Sequence, residues 1–163
     1  MILKFTKSKT VRYISLVLLI FWMCLIFFLS SQTATDSDDT SDGVIEILLS
    51  SVYPEFDTLG IADKQFVVES FSSPIRKAAH FVEFLIFGAF VFAFFVTFSS
   101  LSQKTHLLFS AMLGFFYAIS DEVHQLFVPG RACRITDVYI DFCGVLAGVI
   151  FLFLIYRGSE ANE

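Results

Sequence analysis

Apolar runs, rather than alternating faces, organise this chain. Residues 13–30, 84–102, 107–120 and 142–156 carry no charge and are dominated by Leu, Ile, Val and Phe. A helix that is apolar on every side has no surface to offer water, so these runs predict helices embedded in a bilayer. Length then becomes informative. A helix rises about 1.5 Å per residue and a hydrocarbon core is about 30 Å thick, so roughly 20 residues are needed to cross. The runs 107–120 and 142–156 supply only 14 and 15 residues. Each must borrow polar neighbours. Extending 107–120 forward takes in Asp121, Glu122, His124 and Gln125, and extending 142–156 backward takes in Asp141 and Asp137. The run 84–102, extended backward, takes in Glu83, His80 and Lys77.

Between the first two runs lies a different kind of sequence. Residues 31–76 are rich in Ser, Thr and Asp, with a mildly amphipathic stretch at 44–53 that is too short to span and suits the membrane surface or the end of a bundle. Pro54 and Pro74 are read as breakers that bracket this segment. The expectation is an all-α, integral membrane bundle of about four transmembrane helices. It comprises a basic arm (1–12), a first crossing (13–30), an acidic loop (31–76), a core of three crossings (77–156) and a short tail (157–163). A cleaved signal peptide is the rival reading of the first run. Against it, the run exceeds the usual apolar region of about 7–15 residues, and Gln32 fits poorly three residues before a cut after Ala34.

Composition and charge sharpen this picture. The chain is 56% hydrophobic with 22 Phe among 163 residues, far from the balance of a soluble domain. Nine of its sixteen carboxylates fall between Asp36 and Glu69, so the net charge of −5 describes one segment and not the whole molecule. No basic stripe exists outside the N-terminal arm, which excludes nucleic acid as an expected partner. Lys4, Lys7, Lys9 and Arg12 precede the first run and place the N-terminus in the cytoplasm. Four crossings then put 31–76 and 121–136 outside the cell, and Lys104 and the C-terminus inside. All the borrowed charges gather at one depth near the outer leaflet. Cys24, Cys133 and Cys143 form no CxxC and no zinc pattern.

Helical spacing groups the borrowed residues further. Arg76, His80 and Glu83 stand at i, i+4 and i+7 on one face, and Asp121, His124 and Gln125 at i, i+3 and i+4 on another. Asp137, Asp141, Gly144 and Gly148 form a stripe that is acidic above and small below, where a neighbouring helix can approach closely. Val128-Pro129-Gly130-Arg131 reads as a type II turn, with Pro and Gly at its central positions, that folds Arg131 and Arg134 over the helix ends.

The order Lys77-Ala-Ala-His80-Phe-Val-Glu83-Phe84, then Asp121-Glu122-Val-His124-Gln125-Leu-Phe127-Val-Pro-Gly130-Arg131, then Asp137-Val-Tyr-Ile-Asp141-Phe-Cys-Gly144 resembles the VanZ-like family. The resemblance covers about residues 75–156, with Lys77, His80, Asp121, Glu122, Gln125, Arg131, Asp137, Asp141 and Gly144 on the shared pattern. Phe84 stands where many relatives carry Tyr. The resemblance implies a small multi-helix membrane protein and a link to low-level teicoplanin resistance in bacteria. It implies no settled reaction.

Three functions fit these residues. The first is binding of an anionic or lipid-linked cell-envelope ligand, alongside membrane lipid. Arg76, Lys77, Arg131 and Arg134 would offer charge-assisted hydrogen bonds, and Asp121, Gln125, Asp137 and Asp141 would complete the site. The second is an intramembrane hydrolase or transferase in which His80, Glu122 or His124 moves a proton while Lys77 and Arg131 stabilise negative charge. The third is a structural collar of salt bridges such as Arg131–Asp137. No cofactor or metal is expected, because the neighbouring cations oppose a divalent ion. A metal-assisted variant would draw on His80, Glu83, Asp121 and His124.

Overall fold

The protein, seen in a computed structural model, is described over residues 8–161, and across them its regular structure is all helix, with no strand. Most of the basic arm and the last residues of the tail lie outside the described residues. Five α-helices follow one another: α1 (Lys9–Ser30), α2 (Ala34–Val52), α3 (Ile61–Phe95), α4 (Gln103–Gln125) and α5 (Ile135–Ala161), with a 3₁₀ turn at Pro54–Thr58. Among the described residues three helices are long and apolar enough to cross a membrane: Lys9–Ser30, Ile61–Phe95 and Ile135–Ser159. Helix α4 has 23 residues, enough for about 34 Å. Its apolar stretch is diluted at one end by Gln103, Lys104 and His106 and at the other by Asp121, Glu122, His124 and Gln125.

The packing follows side-chain size. Helices α3 and α5 share the largest interface. A Cβ placed on Gly148 would collide with the Leu85 carbonyl, one on Gly144 with the Phe81 carbonyl, and one on Gly88 with the Val145 backbone. Small residues on both partners therefore bring the two backbones together, as the glycine stripe predicts, and dispersion replaces the missing hydrophobic drive of a lipid environment. Around this seam Phe84, Phe87, Phe92, Val91 and Val145 are almost wholly buried, joined by Leu19 and Ile26 from α1 and Ala118 from α4. Polar anchors fix the outer helices. Trp22 donates to the Glu83 carbonyl (2.9 Å), and the Tyr117 hydroxyl donates to the Met23 carbonyl (2.7 Å). At the opposite end Arg12 reaches the Thr97 carbonyl (2.9 Å) and stacks over Phe98.

The segment 31–76 departs from its reading as a loop. Thr33 caps α2 by accepting from the Asp36 backbone N–H (3.2 Å), and Asp36 in the first turn complements the helix dipole. Ile45 from α2 then packs with Phe56 and Val68 into a second, smaller apolar cluster, which stabilises a helix too polar to signal itself by hydropathy. Pro54 does break the chain, heading the 3₁₀ turn. Pro74 does not: it lies within the 35-residue helix α3. Its ring removes one backbone hydrogen bond, and the residues on either side continue the helix across the gap.

Candidate polar site at one end of the bundle

The turn after α4 has the geometry its residues require. Gly130 adopts φ 77°, the Arg131 N–H closes the turn on the Val128 carbonyl (3.1 Å), and the Pro129 carbonyl accepts from the N–H of Ala34 at the start of α2. Positive φ strains any residue with a Cβ, and one at Gly130 would also press on Ala34 Cβ at 2.9 Å. The turn thus ties the α4–α5 connection to the start of α2. Arg131 is then held by its Nε–H on the Gln32 carbonyl (3.2 Å).

Below this turn the borrowed charges meet. A pocket of about 240 Å³ is lined by Arg76, Lys77 and His80 of α3, by Arg131 and Arg134 after the turn, and by Asp137 and Asp141 of α5. Gln125 of α4 and Asp38 of α2 complete its polar lining. Residues from five separate parts of the chain therefore converge at one end of the bundle. Asp38 was not foreseen as a contributor: it pairs with Arg76 across the pocket mouth. Its signal in the sequence was the Thr33–Asp36 cap, which starts a helix whose first turns carry Asp38.

The deeper acids are buried: Asp141 and Glu122 at 1% exposure, Asp121 at 4%. Asp121 accepts hydrogen bonds from Ser30 (2.9 Å) and Gln125 (3.2 Å), both at Oδ2. Glu122 accepts the Arg134 backbone N–H at Oε1. Asp141 has no hydrogen-bond partner at either oxygen, and His80 Nδ1 lies 3.9 Å from its Oδ1. Glu83 Oε2 lies 4.0 Å from the same Nδ1. Burial, with Arg76 close by, pushes the Arg131 guanidinium down from its ordinary range, opposed by Asp38, Asp121 and Glu122. It still carries its charge at neutral pH.

Three expectations are corrected by the placement. His124 is not in the cluster: its ring stacks on Phe27 (centroids 4.3 Å apart) and its Nε2 lies 3.0 Å from Ser31 Oγ, on the flank of α4 that meets the end of α1. Glu122 is buried beside the turn and does not line the pocket, so of His80, Glu122 and His124 only His80 faces that space. The Arg131–Asp137 salt bridge of the collar reading is not formed among the described residues, where Arg76–Asp38 is the Arg–carboxylate pair present. Phe84, in the position read as Tyr in many relatives, is fully buried against the Phe87 and Tyr117 rings.

The family model of VanZ/LLP1 matches residues 15–156, from the first crossing to the end of the last apolar run. The chain belongs to the VanZ/LLP1 family. Its membership extends the resemblance, read on residues 75–156, to include α1 and α2. No curated protein and no solved structure matches this chain. Family membership together with three apolar helices of spanning length makes this VanZ/LLP1 chain a membrane protein.

Proposed function

We propose that the polar pocket binds an anionic group, a phosphate or carboxylate, of a lipid or lipid-linked cell-envelope molecule at the outer face of the membrane. The observation that carries this reading is the convergence of Arg76, Lys77, Arg131 and Arg134 on one pocket. Only Arg76 among them is paired with a carboxylate. Guanidinium and ammonium groups at a membrane rim hydrogen-bond strongly to anionic oxygens, and the flanking Phe-rich helices suit acyl chains. In this reading α4 also crosses, as the third of four spans along the chain, both termini are cytoplasmic, and the pocket opens outward. Contact with an envelope precursor would connect the site to glycopeptide susceptibility, including teicoplanin.

The test is binding of full-length protein to vesicles of phosphatidylcholine with and without phosphatidylglycerol, in the presence of EDTA. The Arg131→Ala variant should bind the anionic vesicles about tenfold more weakly, the loss of one charge-assisted contact. Unchanged binding removes the support for the proposal. Alanine variants of His80, Glu122, Arg131 and Asp141, scored separately for abundance and for glycopeptide susceptibility, divide a site from a collar. Retained abundance with altered susceptibility favours the site; lost abundance favours the collar.

A further inference from the structure

Beside the pocket, three potential metal ligands approach one another, one from each of three helices. One donor atom each of His80 (α3), Asp121 (α4) and Asp141 (α5) lies within 4.8 Å of the others. Proximity alone would say little. The decisive feature is that Asp141, 1% exposed, leaves both carboxylate oxygens without a hydrogen bond, and that the buried His80 Nδ1 facing it also lacks one. A buried carboxylate with no donor carries a large desolvation cost that nothing around it offsets. Asp121 is prepared differently. Ser30 and Gln125 both bond its Oδ2, which orients the carboxylate and leaves neither bond on Oδ1. Outer hydrogen bonds of this kind commonly hold a ligating carboxylate in place.

We propose that His80, Asp121 and Asp141 bind a divalent first-row cation, zinc or manganese. One neutral imidazole and two carboxylates contribute a charge of −2, which the ion cancels, and the mixed nitrogen–oxygen set suits ions of intermediate softness. Ligands at about 2.1 Å from a tetrahedral ion stand about 3.4 Å apart, so the three atoms close in by roughly an ångström on binding. Of the cations that would oppose a metal, Arg76 is neutralised by Asp38, and the Nε–H of Arg131 is turned to the Gln32 carbonyl. His80 and Asp141 also line the pocket, so the remaining coordination positions face the space open to water or an anionic oxygen. This ion site differs from the cationic rim proposed above and stands without it.

The experiment uses full-length protein without a histidine tag, purified in detergent and stripped with EDTA that is then removed. Titration with zinc or manganese, each alone, should load one ion per chain and raise the melting temperature. Asp141→Asn and His80→Gln should weaken that binding by more than about 100-fold, while Asp39→Asn, an exposed acid outside the set, should bind as the unaltered chain does. Absence of stoichiometric binding of both ions to the unaltered protein overturns the proposal, whatever the variants do. Equal binding by a folded Asp141→Asn variant overturns it too. Because the vesicle test is run in EDTA, a failure there concerns the cationic rim and a failure here concerns the ion.

Discussion

Helices α3 and α5 meet twice, and the two meetings differ in chemistry. Along Gly88, Gly144 and Gly148 they touch through backbone and carbon, close enough that a methyl group would not fit, and the Phe84–Phe87–Phe92 cluster seals the contact. About one to two turns toward the N-terminal ends of the same helices, at His80 and Asp141, they face each other through nitrogen and oxygen at 3.9 Å without a hydrogen bond. The lower contact fixes the helix separation, and the upper one inherits it. A collar that merely tied helices together would pair its charges. Here the buried acids divide: Asp121 and Glu122 accept hydrogen bonds, whereas Asp141 has no hydrogen-bond partner at either oxygen, an exception among buried polar groups.

Substitutions can break this contrast at either end. The largest effect should come from Gly148→Ala, whose Cβ meets the Leu85 carbonyl: a loss of about 3 kcal/mol or more, read as a fall in melting temperature in detergent and in membrane abundance. Ser30→Ala should follow, at about 1.5–3 kcal/mol, because it removes a hydrogen bond to the buried Asp121 carboxylate; the same melting measurement checks it. Gly130→Ala should cost about 1–2 kcal/mol through its positive φ and its approach to Ala34, and should also weaken anionic-vesicle binding by moving Arg131. The smallest should be Asp38→Asn, which frees Arg76 at the pocket mouth. Stability should change by less than about 1 kcal/mol while affinity for anionic vesicles rises. A fall in that affinity would mean that Asp38 orients Arg76 for the ligand rather than competing with it.

The same contrast explains what could be read without coordinates. The glycine stripe on α5 and the Pro129-Gly130 turn were legible because each depends on sterics local to a few residues. The meeting of His80, Asp121 and Asp141 followed from a length argument, since short apolar runs must take polar residues into the membrane with them. The position of His124 did not follow. Successive residues turn about 100° around a helix, so Asp121, Gln125 and Glu122 occupy an arc of about 100°. His124 falls about 60° outside the near edge of that arc, and the spacing alone left open which flank faces inward. Helix α2 was hidden for another reason. Its Ser, Thr and Asp residues have weak helix propensity, and contact with Phe56 and Val68 adds to the Thr33 cap in favouring it. Pro74 looked like a boundary because the rule for prolines describes a helix in isolation, not one held on both sides of the gap.

Pro74 also gives α3 a fulcrum. The helix has 35 residues, about 52 Å, longer than the roughly 40–45 Å of a whole bilayer with its headgroups, so its first turns extend past the hydrocarbon. Between Ile61 and Pro74 lie 13 residues of lever arm, about 20 Å. Each degree of flexure at the missing hydrogen bond therefore sweeps Ile61 through about 0.3 Å. Arg76 stands half a turn from that pivot and barely moves, whereas the small cluster of Ile45, Phe56 and Val68 rides on the far limb.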